Sequence, residues 1–116
     1  MTKEKIFENK VKAYLSTKGI YFVKFFANRM TRIGVPDILS CINGKFVGIE
    51  VKSENGKPSY MQCRNISLIQ QNDGFAIVLY PEDFRTFCKM VEAIITGNWL
   101  EARKLENSIN SKRSCE

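Results

Sequence analysis

The sequence predicts an α/β fold in which a mixed central sheet is flanked by helices in the order α-β-β-β-α-β-α, and three observations carry that reading. Residues 37–42 and 45–52, "DILSCI" and "KFVGIEVK", are apolar runs joined by Asn43-Gly44, a dipeptide that supplies the positive φ angles of a tight hairpin turn. Residues 75–80, "FAIVLY", are continuously apolar, as an interior strand covered on both faces requires. Helical periodicity fills the intervals before and after these runs.

Taken in order, residues 3–18 place Phe7, Val11, Tyr14 and Leu15 at helical spacing, and Gly19 follows as the stop. "IYFVKFF" (20–26) is rich in β-branched and aromatic residues and reads as a strand, although its alternation is imperfect. "ANRMTRIG" (27–34) is a polar, basic loop that leads into the hairpin. After the hairpin, "SENGKP" (53–58) is a loop, and Ser59 is placed to cap a helix that runs to Asn72 and ends at Asp73-Gly74. Pro81, Glu82 and Asp83 suit the first turn of a third helix, whose apolar face is Phe84, Phe87, Cys88, Val91, Ile94 and Ile95 and whose stop is Gly97. The domain is therefore expected over residues 1–97. Residues 98–116 are charged, with Trp99, Leu100 and Leu105 as visible anchors, and read as a tail with a short helix and a frayed end. The helical crossover before "FAIVLY" calls for parallel pairing there, whereas the hairpin is antiparallel.

Composition narrows the function. A chain of 116 residues, 44% of them hydrophobic, builds one domain around one modest core. Its net charge of +6 favours a polyanionic partner, nucleic acid first. Cys41, Cys63, Cys88 and Cys115 form no C-x-x-C pair, so they are expected to be reduced thiols of a cytoplasmic protein rather than zinc or redox ligands. The charged N-terminus lacks the apolar core of a signal peptide and no run approaches a membrane span, so neither secretion nor a membrane partner is expected. The chain contains no histidine, which removes imidazole acid/base catalysis, Ser-His and Cys-His nucleophiles and H-E-x-x-H zinc sites. Catalysis here must rest on carboxylates, lysine or a hard metal ion. No small-molecule cofactor is expected.

Asp37 opens one strand of the hairpin and Glu50 lies near the end of the other, so closure at Asn43-Gly44 brings both carboxylates to its open end. Converging carboxylates repel, and a hard divalent cation such as Mg²⁺ or Mn²⁺ relieves that repulsion. Strand alternation puts Lys52 on the face of Glu50 while Val51 points into the core. Two carboxylates, a cation and a lysine suit phosphodiester hydrolysis. An ordinary cross-strand ion pair also produces E-x-K, and only its place after G-V-P-D and a hairpin, in a basic chain without histidine, sets this one apart.

The run "RMTRIGVPD", the hairpin, "IEVK" and a following helix that carries Gln62 together resemble the PD-(D/E)XK nuclease superfamily, and within it the stand-alone VRR-NUC (virus-type replication-repair nuclease) domains. The resemblance spans residues 4–96 and implies a nuclease-like core. It implies Asp37 and Glu50 as metal ligands, the backbone carbonyl of Val51 as a further ligand, and Lys52 as the catalytic lysine. Glu8 matches the family's first-helix glutamate, with a solvated salt-bridging role as the alternative and Glu4 as its competitor. Gln62 matches the helical glutamine that orients the lysine or the water, and a plain surface glutamine is the other reading. The resemblance further implies a Mg²⁺-dependent DNA endonuclease, with Mn²⁺ as a substitute, acting as a homodimer on branched or Holliday-junction DNA.

Arg29, Arg32, Lys45, Lys57 and Arg64 lie in segments that flank this region and are the candidates for phosphate contacts. Tyr21, Phe22, Phe25, Phe26, Phe84 and Phe87 have the spacing of core residues rather than of base-stacking platforms. The rival functions are a sequence-tolerant nickase or end-processing nuclease, a nuclease directed at RNA, and a non-catalytic nucleic-acid-binding protein.

Overall fold

The computed structural model describes residues 1–111, and the turn at Asn43-Gly44 organises it. Asn43 and Gly44 take φ values of +48° and +79°, which matches the twist of the strands they join. The elements are α1 (Lys3–Thr17), β1 (Tyr21–Lys24), β2 (Ile38–Ile42), β3 (Lys45–Val51), α2 (Tyr60–Gln71), β4 (Phe75–Leu79), a 3₁₀ turn over Pro81–Asp83, α3 (Phe84–Ile95) and α4 (Trp99–Ser111). The four strands form one sheet in the order β1-β2-β3-β4. β1 with β2 and β2 with β3 are antiparallel, and β3 with β4 is parallel. The α/β class and the mixed, helix-flanked sheet are those the sequence predicts, with one more helix at the end.

Capping chemistry explains the helix starts. Thr2 accepts a hydrogen bond from the Lys5 N–H at the start of α1. At α2, Ser59 accepts from the Gln62 N–H while the Gln62 side chain accepts from the Ser59 N–H, a reciprocal capping box. Pro81 to Asp83 form a separate 3₁₀ turn instead of the first turn expected of the third helix. The buried face of α3 also uses Met90 and Ala93, whereas Ile95, expected on that face, is exposed.

Alternation divides the sheet's side chains between two layers. Val47, Ile49 and Val51 of β3 and Phe75, Ile77 and Leu79 of β4 pack with α1 and α3 in the main core. Ala76, Val78 and Tyr80 face the other way and pack against Ile66 and Ile69 of α2. Glu50 and Lys52 therefore belong to the α2 layer and Glu8 to the α1 layer.

The run "FAIVLY" is fully buried, yet it is an edge strand and not the interior strand its composition predicts. An edge strand presents unpaired N–H and C=O groups that invite pairing with another chain. Here α4 occupies them. The Ala76 N–H donates to Glu106 Oε2, the Val78 N–H donates to Asn110 Oδ1, and Asn110 Nδ2 and Gln70 Nε2 donate to the Ala76 carbonyl. Glu106 is itself buried and also accepts from Gln70 and Arg103.

The segment after residue 97 is thus part of the folded body over the described residues. Ala102 and Ile109 enter the main core, while Trp99 and Leu100, the anchors expected from the sequence, are exposed and Leu105 is half-buried. The frayed end expected beyond residue 111 lies outside the described residues. Cys41 and Cys88 are free thiols, but Cys63 is disulfide-bonded, which corrects the expectation of four reduced cysteines. Among the described residues no helix is long and apolar enough to cross a membrane.

Replacing Glu106 with Ala removes the acceptor of a buried strand N–H and one of the carboxylates that pair with Arg103, the other being Asp73. A loss of about 2–4 kcal/mol in urea unfolding is expected. A change within about 0.5 kcal/mol would show that the edge does not depend on this carboxylate.

Candidate active site

Asp37 and Glu50 are brought together by strand register. The last antiparallel pair of the hairpin is Ile38 with Ile49, so Asp37 and Glu50 face each other one position further on. Asp37 Oδ2 accepts the Val51 N–H at 2.9 Å, a side-chain bond that continues where the ladder stops. In an extended strand a residue's N–H and C=O leave on the same side, so the Val51 carbonyl also faces Asp37, while its buried side chain packs in the main core.

The approach to Asp37 is fixed from both sides. The Phe25 N–H donates to the Asp37 carbonyl, and Asn65 Nδ2 donates to the carbonyls of Ile33 and Met61. Gly34 takes φ +86° and has no room for a Cβ, because the Met61 carbonyl lies against it. Buried Pro36 packs where a side chain at Gly48 would be. These contacts explain why Gly34 and Pro36 precede the aspartate.

Glu50 is only 3% exposed, and Gln62 Nε2 donates to its Oε2 at 2.9 Å. Lys52 Nζ stands 3.6 Å from the same oxygen. Gln62 is therefore not a plain surface glutamine: it holds Glu50 through the oxygen that Lys52 also faces. Burial first, and then the charge of Asp37, push the Glu50 carboxyl up from 4.5 to about 8, against the pull of Lys52.

Glu8, and not the exposed Glu4, is the buried glutamate of α1. It does not touch Asp37 directly. Lys24 Nζ lies between them, 2.8 Å from Glu8 Oε1 and 3.6 Å from Asp37 Oδ1. Lys5 and Lys12 each reach Glu8 Oε2 at 3.1 Å. Burial opposes ionisation of Glu8, but Lys24, Lys5 and Lys12 outweigh it and hold its carboxyl at about 2. Lys24 escaped the sequence reading; its signal was a lone cation in the inward phase of β1, shared with Phe22.

The donor set fits a hard divalent cation. Glu50 Oε1 is buried with no donor among the described residues to serve it and lies beside the Asp37 carboxylate, so the two acids must share either a proton or a cation. Among the described residues no group of three or more His, Cys, Asp or Glu could hold a metal, so Asp37 and Glu50 would hold it with Val51 O and water. Mg²⁺ suits that economy, since it keeps several waters and needs only one or two carboxylates.

The cationic candidates divide. Arg29, Arg32, Lys57 and Arg64 are exposed and make no salt bridge among the described residues. Arg29 and Arg32 lie on the loop that enters Asp37. Arg64, two positions after Gln62, is turned about 200° from it around α2 and faces away from Glu50. Lys45 stands at the closed end of the hairpin, about 17 Å along β3 from Glu50 at the rise of a strand, and is held by Asp73 at 2.6 Å and by the Trp99 ring. It does not flank the site. Among the aromatics, Phe87 is core and Phe22, Phe25 and Phe84 are half-buried, but Tyr21 and Phe26 are exposed at 71% and 73%, contrary to the expectation of core packing.

No family model, curated protein or solved structure matches this chain.

Two outcomes test the site's construction. Because the folded state keeps the Glu50 proton that the unfolded chain releases, this group's stabilisation is complete below about pH 4.5 and is lost as pH rises through about 8. Without divalent ions, the difference in thermal stability between wild type and Glu50→Gln should widen in favour of the variant across that window; a pH-independent difference contradicts the buried-carboxyl account. Gly34→Ala forces the chain off the Met61 carbonyl, and is expected to cost about 2 kcal/mol or more in urea unfolding. Unchanged stability would mean that the approach to Asp37 is not under this constraint.

Proposed function

We propose that this chain is a divalent-metal-dependent DNA endonuclease, similar to the VRR-NUC domains of the PD-(D/E)XK superfamily, and selective for branched DNA. The observation that carries the proposal is the buried, unsatisfied Glu50 oxygen beside Asp37, with Lys52 against the same carboxylate. Most buried carboxylate oxygens in structural ion pairs have a donor, and this one does not. A binding protein gains nothing from carboxylates aimed at phosphate.

When bound, Mg²⁺ or Mn²⁺ supplies polarisation of a phosphate oxygen and a lowered pKa for its water. Asp37 and Glu50 orient the cation-binding oxygens, and Gln62 fixes the rotamer of Glu50. Lys52, 16% exposed, projects its ammonium at the acid pair, where it offsets charge that develops on the phosphorane. Arg29 and Arg32 hold the backbone of the substrate without reading its sequence.

The preference for a branch rests on the loop before Asp37. Its turn is tied by Asn28 Oδ1, which accepts from the Met30 N–H, and by Thr31, which hydrogen-bonds Asn28 at both N and O. On it Phe26, Met30 and Ile33 are 73%, 92% and 71% exposed, among Arg29 and Arg32. Apolar side chains set among cations suit a polyanion whose base stack is open, as at a junction, flap or frayed end. A symmetric junction calls for two cuts, hence two copies of the chain. The exposed outer face of the sheet, with Tyr21, Val23, Cys41 and Phe46, is the surface on which they would meet.

The test is cleavage of matched junction, flap and linear duplex DNA with Mg²⁺ or Mn²⁺. Asp37→Asn and Lys52→Ala should retain DNA binding and lose cleavage by about a thousandfold or more. Persistent cutting by either variant refutes the site assignment. Equal cutting of all three substrates by the wild type leaves a sequence-tolerant nuclease, and binding without cutting leaves the non-catalytic reading.

A further inference from the structure

Lys24 forms a bridge between two carboxylates of different layers of the fold. Glu8 projects from α1 on one face of the sheet, Glu50 belongs to the other face, and Asp37 stands at the sheet's end between them. Lys24 leaves β1 on the α1 side, opposite Ile38 in the β1–β2 ladder. Its stem runs to the end of the sheet, where Nζ meets Glu8 Oε1 at 2.8 Å and Asp37 Oδ1 at 3.6 Å. Both Asp37 oxygens are thereby engaged, Oδ2 by the Val51 N–H and Oδ1 by the ammonium.

Lys24 serves both carboxylates: it hydrogen-bonds Glu8 Oε1 at 2.8 Å and lies 3.6 Å from Asp37 Oδ1, the distance of an ion pair. Lys5 and Lys12 reach only the other Glu8 oxygen, so among the described residues Lys24 is the one cation shared between Glu8 and Asp37. Glu8, with its side chain only 6% exposed, acts as the anchor that stops this ammonium from swinging into solvent. Each carboxylate of the acid pair then has its own lysine, Lys24 at Asp37 and Lys52 at Glu50.

We propose that Lys24 is the fixed second cation of this site: its ammonium, anchored by Glu8, stands where a second metal ion would bridge Glu8 and Asp37, so that the site takes one divalent ion per chain. This rests on the hydrolase reading given above. Two-metal phosphodiesterases clamp the attacking and leaving oxygens with a pair of ions a few ångströms apart. Here a covalently attached charge replaces one of them. It cannot supply a water of lowered pKa, but it holds Asp37 in place and offers positive charge toward the phosphate. Lys24 is thus a positioning residue that acts through Asp37, and Glu8 is its anchor and not a metal ligand.

The experiment is a Mn²⁺ titration of the full chain at about pH 8, with free Mn²⁺ read by its electron paramagnetic resonance signal. The wild type is expected to bind one ion per chain. Lys24→Ala should gain a second ion between Glu8 and Asp37, Lys24→Arg should keep one, and the double variant Lys24→Ala with Glu8→Gln should return to one. Two ions in the wild type, none in the wild type, or one in Lys24→Ala each overturn the proposal. A wild-type count of two or of none overturns it even if a variant fails to fold, and Lys24→Arg against Lys24→Ala assigns the single ion's neighbour to the Lys24 charge. Two ions in a cutting wild type sink this inference and leave the hydrolase standing, whereas one bound ion without any DNA cleavage does the reverse.

Discussion

The register of β2 against β3 is the constraint on which the site depends. Ile38 opposite Ile49 makes Asp37 the next residue out on one strand and Glu50 the next on the other, so the two meet at the end of the sheet. A slip of β2 by one position would turn Ile38 and Ile42 out of the main core along with moving Asp37, and a slip of β3 would do the same to Val47 and Ile49, so hydrophobic burial enforces the geometry of the acid pair. The turn at Asn43-Gly44 selects the same register from the far end, and Asn43 Nδ2 ties that turn to the Ile94 carbonyl of α3. Packing free energy distributed over the whole hairpin thus holds together two acids whose full ionisation would drive them apart.

The cost of that proximity is visible in how each carboxylate is treated. Asp37 keeps partial exposure and gains a backbone N–H and an ammonium. Glu50 loses water, has one oxygen unserved, and is pushed toward the protonated form. Glu8, also buried though less deeply, is held ionised by three lysines. Three acids within one small region therefore have three electrostatic fates, and only Glu50 is left with an unmet demand for a cation.

Much of this was readable from the sequence, for identifiable reasons. The hairpin and its carboxylates follow from turn chemistry and strand alternation, which are local rules. The helical wheel puts both Glu4 and Glu8 with Val11 and Leu15 and could not choose between them; Glu4 is exposed in the first turn of α1, whereas Glu8, one turn on, is buried. Lys24 was not readable, because its importance comes from a contact between α1 and the end of the sheet. Lys45 looked adjacent to the site because it is close in sequence, yet the strand carries it to the opposite end. The edge position of β4 was hidden for a related reason: Glu106 and Asn110 look like tail polarity until α4 is laid along the strand and each meets a backbone group. Exposed Phe26 broke the periodic rule because it lies just past the end of β1, where alternation no longer binds the chain.

The central claim is that Asp37, Glu50 and the Val51 carbonyl hold the ion that cuts DNA. Anomalous diffraction from crystals soaked with Mn²⁺ and a short junction DNA tests it most directly. The account predicts an anomalous peak in direct ligand contact with both carboxylates and the Val51 carbonyl, beside a backbone phosphate and within reach of Lys52. Ordered DNA in those crystals with no peak at the acid pair, or with Mn²⁺ bound only elsewhere, would contradict it.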